Sequence, residues 1–173
     1  MATETKLRQL ADKGCPVYYF YSSERYLVRQ AVTAITRILT ADSDEDATVL
    51  DGAAPEIEQL IMAAGTISFF GTRRVVVLPE IDPAAYSDKD LEELNSTLSS
   101  LENAVVVLGS VFELERSKLK TGKRAQKLIA QCKALGYTEE LAKPKPFELK
   151  MMMIDRAKEQ KTALPDGAAA ALL

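Results

Sequence analysis

Short apolar runs alternate along this chain with segments in which apolar residues recur at helical spacing. Continuous runs such as residues 17–21 and 104–109 are typical of strands that are buried on both faces of a sheet. Together with shorter apolar segments, they predict five strands, at residues 17–21, 48–50, 73–78, 104–109 and 137–141. Strands of this type that are separated by helices predict an α/β fold with a five-stranded parallel sheet flanked by helices.

The segments between the strands predict four helices. Ser22 and Ser23 can cap the first helix, because serine side chains accept hydrogen bonds from the first helical amides. The second helix begins near Pro55, a residue that is favourable at the first helical position. Its predicted core face consists of Ile57, Leu60, Ile61 and Ala64. The third helix covers about residues 87–100, and a long basic helix covers about residues 118–135.

The segment KPKP, residues 143–146, breaks this alternation and predicts a linker. It divides the chain into an α/β domain of residues 1–142 and a helical segment of residues 143–173. The last apolar helix of that segment, AAAALL, stops at Leu173 after one or two turns. We therefore expect the natural chain to continue into further helices.

Composition excludes several classes of protein. Histidine is absent, which removes the commonest general base, the commonest zinc ligand and every triad that relies on imidazole. No apolar run approaches the ~20 residues that a membrane span needs, and the first residues contain no apolar core of a signal peptide. Cys15 and Cys132 show no paired spacing, which fits a protein of the reducing cytoplasm.

Charge is unevenly distributed along the chain. Residues 1–112 contain 9 basic and 17 acidic side chains, whereas residues 113–173 contain 13 basic and 8 acidic ones. The densest basic tract is RSKLKTGKRAQK, residues 116–127. Its cations either lie on a solvated loop and helix start, or contact a DNA backbone or an acidic partner. The candidate residues are Lys118, Lys120, Lys123, Arg124 and Lys127.

Nucleotide binding is not indicated by any motif. A phosphate-binding loop needs glycines, a lysine and a Ser or Thr directly after the first strand, but the residues found there are SSER, 22–25. The carboxylate of Glu24 would repel a phosphate. The chain also lacks the G-x-G-x-x-G pattern of dinucleotide sites, and its acidic pairs are typical of solvated surfaces. The sequence therefore predicts no catalytic residue, cofactor site or metal site.

The stretch ISFFGTRRVVVLPEID, residues 67–82, contains two adjacent phenylalanines before a buried strand. The second helix already has its core face, and adjacent helical residues point about 100° apart, so Phe69 and Phe70 cannot both extend that face. The residues alone favour a position in the core for both. An exposed phenylalanine at this place would instead anchor a partner's pocket.

Three blocks in a fixed order resemble the N-terminal part of the delta subunit of the bacterial DNA polymerase III clamp loader. The blocks are VYYFYSSERYLVRQAV, SFFGTRRVVVLPEID and NAVVVLGSVFELERSKLKTGKRAQKL, and the pattern continues from KPKPFELK to the last residue. The resemblance implies an AAA+-like first domain that has lost its P-loop, followed by the start of a small helical lid domain. It also implies that a helical collar domain follows outside this sequence.

The resemblance further implies a function. Members of this family bind the sliding clamp (beta subunit) and open one interface of the ring, while other subunits of the complex handle ATP. The protein would then be an accessory subunit of the polymerase and not an enzyme by itself. The clamp-binding element is typically Leu-Phe and falls here on Ser68, Phe69 and Phe70, with Phe69 in place of the usual leucine.

Three alternatives remain open from the sequence. One is an ATP-hydrolysing AAA+ enzyme, against which the residues at 22–25 argue. Another is a receiver-like signalling module, but Glu80 and Asp82 after the third strand match its phosphorylation site poorly. The last is the delta-prime or an ATPase subunit of the same loader, which would need more zinc-binding cysteines than the two present.

Overall fold

The structure is a computed structural model that describes residues 4–43, 45–65 and 73–143, together with positions 147, 150, 151, 153, 154 and 157. The chain divides into two compact units. One contains residues 2–141, and the other contains residues 142–173. The described positions from 147 to 157 in the second unit have helical conformation.

Five strands of the first unit form one parallel sheet, as predicted. They are β1 (Val17–Ser22), β2 (Thr48–Val49), β3 (Arg74–Leu78), β4 (Ala104–Val111) and β7 (Tyr137–Glu140). Their order in the sheet is β2-β3-β4-β1-β7, and every neighbouring pair is parallel. Two further strands, β5 (Leu114–Glu115) and β6 (Lys118–Leu119), form a separate antiparallel hairpin between β4 and the last helix.

Five helices flank the sheet in the described part of this unit. They are α1 (Glu4–Asp12), α2 (Arg25–Leu39), α3 (Ile57–Gly65), α4 (Asp88–Ser99) and α5 (Lys123–Leu135). The helix predicted from about residue 118 was wrong at its start, because residues 118–119 belong to β6. Helix α1 was not predicted at all.

The core lies on both faces of the sheet, because successive strand residues point to opposite sides. Val17 and Tyr19 of β1 pack with the core residues of α3, α4 and α5, whereas the Tyr18 hydroxyl donates a 2.8 Å hydrogen bond to the Leu10 carbonyl of α1. Of the predicted core face of α3, Ile57 and Leu60 are buried, but Ile61 is 45% exposed. The prediction for Ile61 was therefore wrong, because α3 faces β3, β4 and α4 with the side that contains Ile57 and Leu60, and Ile61 lies off that side.

Buried polar groups at the carboxyl ends of the strands are paired with one another. The Tyr19 hydroxyl donates to Ser110 Oγ at 2.8 Å, and the Ser110 hydroxyl donates to the Ile81 carbonyl at 2.8 Å. Burial raises the pKa of Tyr19, so this hydroxyl keeps its proton. None of the described helices is long and apolar enough to span a membrane.

Candidate functional site

The connection between β1 and α2 occupies the position of the phosphate loop in P-loop folds, and it consists of only Ser23 and Glu24. The Ser22 hydroxyl at the end of β1 is buried and donates a 2.6 Å hydrogen bond to the Leu141 carbonyl. Its oxygen also accepts the Glu24 amide at 3.1 Å. A two-residue connection is too short to wrap phosphates with its amides, and the hydroxyl is already engaged.

Carboxylates surround the start of α2. The N-cap residue is Glu24, and its side chain makes no capping hydrogen bond, so the prediction that Ser22 or Ser23 caps this helix was wrong. Glu80, just after β3, accepts Arg25 NH2 at 2.6 Å and lies 3.9 Å from Arg29 Nε. The two arginines that could have faced an anion therefore share one carboxylate of the same unit, and Arg25 is the more closely paired of them.

The basic tract is divided by the structure into two groups. Arg124 and Lys127 on α5 are paired with α4: Arg124 Nε donates to Asp88 at 2.8 Å, and Lys127 Nζ donates to Glu92 at 3.1 Å. Arg124 also donates to the Ala84 carbonyl at 3.1 Å. These two cations join the neighbouring helices α4 and α5, and their charges are balanced locally.

The other predicted cations, Lys118, Lys120 and Lys123, are exposed. They make no ion pair with any residue in the described ranges. Arg116, in the turn of the β5–β6 hairpin, shares this property. The sequence analysis quoted it in the tract but did not name it among the candidate residues. The signal that could have identified it is the position of Arg116 at the start of the same tract.

We expect the Asp88 carboxyl to titrate below its ordinary value of 3.8, because its hydrogen bond to Arg124 and the nearby charge lower its pKa. A pKa lowered by folding contributes stability above the ordinary value, and this contribution is lost as the pH falls through the lowered pKa. A carboxyl-carbon NMR titration of the native chain and of Arg124→Ala measures the shift. The midpoint should move back towards 3.8 in the variant, and an unchanged midpoint would contradict the assigned cause.

Ser68, Phe69 and Phe70, the predicted clamp-binding residues, lie outside the described residues. Before the segment, helix α3 ends at Gly65. After it, Arg73 is the residue that precedes β3, and its guanidinium donates a 2.8 Å hydrogen bond to the Gly14 carbonyl. Two large apolar side chains of α3 are solvent-exposed near its end, Ile61 and Met62, the latter by 72%.

The strand order and the short β1–α2 connection define an AAA+-like α/β domain without a phosphate loop. The family model for the DNA polymerase III delta subunit matches residues 18–135, and the chain belongs to this family. The matched range runs from the second residue of β1 to the last residue of α5. Members of this family are delta subunits of the clamp loader in DNA replication. The resemblance of the three sequence blocks indicated the same family.

Two relatives are consistent with this assignment. The chain is 28% identical over 137 residues to DNA polymerase III subunit delta of Bacillus subtilis, covering 72% of this chain and 39% of that protein. It also matches the fold of the Bacillus subtilis DNA clamp loader delta protein, with a TM-score of 0.62 and 23% identity over 98% of this chain. The chain spans about half of that structure's length, 51%.

Proposed function

We propose that this protein binds the sliding clamp of DNA replication through Ser68, Phe69 and Phe70 and helps to open the ring for loading on primed DNA. The observation that carries the proposal is the family match over residues 18–135, because this range contains the whole SFFG segment. The position of the segment between α3 and β3 supports it. Helix α3 packs on the sheet and β3 is one of its strands, so the elements before and after the segment both belong to the folded α/β unit.

The neighbouring surface also fits a protein partner. Ile61 and Met62 are large exposed apolar side chains in the second half of α3, the helix that precedes the segment in the chain. Apolar anchors next to aromatic residues are typical of the centre of protein interfaces. Ring opening follows if the bound clamp surface fits the opened ring better than the closed one, since a ligand shifts an equilibrium only by its differential affinity.

The direct test is binding of the complete 173-residue chain to the sliding clamp of the same organism by titration calorimetry. We expect one chain to bind each accessible clamp subunit with an affinity that does not depend on added nucleotide. A native chain that is folded by circular dichroism but does not bind would overturn the proposal and leave only the family assignment.

We also propose that the protein has no ATPase activity of its own. The two-residue β1–α2 connection, the engaged Ser22 hydroxyl and the carboxylates of Glu24 and Glu80 support this. Titration with a fluorescent ATP analogue and Mg²⁺ should give no saturable signal. Saturable binding that is abolished in Ser23→Glu would instead favour an ATP-hydrolysing AAA+ enzyme.

Partners and domains complete the proposal. We assign residues 143–173 to the start of a helical lid domain, and the division of the chain after residue 141 supports a boundary there. Contacts with the other clamp-loader subunits are assigned mainly to a C-terminal collar domain outside residues 1–173. The place of action is the cytoplasm, where the replication machinery of bacteria works on the chromosome.

A further inference from the structure

We propose that the β5–β6 hairpin and the first turn of α5 form a contact surface for the phosphate backbone of a nucleic acid, which we call the hairpin surface. Its cations are Arg116, Lys118, Lys120 and Lys123. The proposal rests on the distribution of charge in the structure and does not depend on clamp binding. It also separates these residues from Arg124 and Lys127, which the sequence alone groups with them.

The first argument is the contrast between paired and unpaired cations. Arg124 and Lys127 are balanced by Asp88 and Glu92, whereas the four cations of the hairpin surface are exposed and have no ion pair in the described part of the chain. The nearby carboxylates are Glu113, Glu115 and, beside the groove under the hairpin, Glu140. Glu115 lies opposite Lys118 in the strand register, without a contact of ion-pair length. The surface therefore keeps a positive balance.

The second argument is the local backbone. Arg116 and Ser117 form the turn with φ angles of 51° and 65°, a left-handed conformation that is unfavourable for residues other than glycine. The turn directs its side chains and the Ser117 hydroxyl into solvent, away from the sheet. Lys118 lies in β6, and Lys120 follows the strand directly, where its amide donates to the Glu113 carbonyl at 2.8 Å and continues the hairpin pairing. Side chains two apart in such an extended segment point the same way, so both lysines lie on one face of the hairpin.

The third argument is the start of α5. Its N-cap is Gly122, no side chain caps the helix, and its first turn contains no acidic residue. Gln126 in the first turns of α5 lines one open groove with Arg116, Lys118 and Lys120, beside one carboxylate, Glu115, so the helix start and three of the four cations face a common space. Uncapped helical amides next to lysines suit phosphate oxygens, which accept hydrogen bonds from both.

The composition of the surface favours a nucleic acid over an acidic protein. Lysine is depleted in the centre of protein interfaces, where aromatic and other apolar anchors dominate. The hairpin surface offers three lysines and one arginine but only Leu114 as a large exposed apolar side chain, 52% exposed. Contacts from flexible lysines to phosphates position a nucleic acid without reading its sequence.

The test is a fluorescence-anisotropy titration of a labelled DNA duplex of about 20 base pairs with the complete chain, at several salt concentrations. We expect weak binding that depends on salt. The logarithm of the association constant should fall against the logarithm of the salt concentration with a slope of about −3 to −4, since each phosphate contact contributes roughly −0.9. In Lys118→Ala/Lys120→Ala this salt slope should become less negative by about 2. The affinity at low salt should fall about tenfold or more. Circular dichroism establishes that the variant is folded.

Two control variants have the same change in net charge. Lys13→Ala/Lys89→Ala removes two exposed lysines from other parts of the unit, and Arg124→Ala/Lys127→Ala removes the two paired cations of α5. Both should leave the salt slope nearly unchanged. An equal loss in either control, or no DNA binding by the native chain at low salt, overturns the proposal. Tighter binding to polyglutamate than to DNA with the same hairpin dependence also overturns it, in favour of an acidic polypeptide.

Discussion

Phe69→Ala/Phe70→Ala should weaken binding to the sliding clamp by about 10² to 10⁴-fold. Burying two phenylalanine side chains contributes roughly 3–6 kcal/mol, and each 1.4 kcal/mol corresponds to about a tenfold change in affinity. A loss of that size makes the pair the dominant part of a modest interface. Truncation removes both side chains at once, so a neighbouring phenylalanine cannot replace the missing contact.

Calorimetric titration of the clamp with the native chain and the double variant measures this loss, with circular dichroism on both chains. A suitable control is Phe147→Ala, because Phe147 is also an exposed phenylalanine, 72% exposed, and belongs to the second unit. The control should bind like the native chain. A folded double variant with native affinity would place the contact elsewhere, and an unfolded one would assign the phenylalanines to the core.

The parallel sheet could be predicted because its strands are buried on both faces and therefore contain uninterrupted apolar runs. Residues 17–20 of β1 and 104–108 of β4 are all buried, and the sequence shows them as continuous apolar segments. Helix α1 was missed because only Leu7 and Leu10 of its residues are buried hydrophobic side chains. Two apolar positions are too few to distinguish a helix from a solvated terminus.

The hairpin was missed for a different reason. Two-residue hairpin turns are usually recognised by Asn-Gly or a similar pair, but this turn is Arg116-Ser117, and lysines and leucine around it favour a helix in isolation. Phe112 is the last residue held to the sheet, since its side chain is buried and its amide donates to the Ser22 carbonyl at 2.8 Å. The hairpin follows directly and is closed by the Lys120 amide, which donates to the Glu113 carbonyl at 2.8 Å. Tertiary contacts of this kind cannot be read from local pattern.

Of the candidate site, the sequence alone predicts only that the residues of a phosphate loop are missing. The absence of glycine and lysine at residues 22–25 is a property of the sequence. The ion pair of Arg25 with Glu80 and the hydrogen bond from Ser22 to Leu141 join residues far apart in the chain. They depend on which strands are neighbours in the sheet, so they could be found only once the strand order was known.

Gly109→Ala should lower the free energy of unfolding by about 3 kcal/mol, the upper part of the usual range for overpacking a core. Gly109 lies in β4, and an added Cβ would come 2.2 Å from the Pro79 carbonyl oxygen and 2.8 Å from Val28 Cγ1. The close approach exists because the chain crosses β4 directly after β3, where the Ile81 amide donates to the Gly109 carbonyl at 2.8 Å.

Relief of this clash requires a movement of backbone, not of a flexible side chain. Moving Pro79 also moves Glu80, which holds Arg25 at the start of α2, so the cost includes this ion pair and the packing of Val28. For a chain of this size we expect the melting temperature to fall by about 6–12 °C, measured by circular dichroism. Gly65→Ala is the matched control, since no atom of the described residues lies within 4 Å of its added Cβ at the end of α3. A native melting temperature in Gly109→Ala would mean that the backbone after β3 moves aside at little cost.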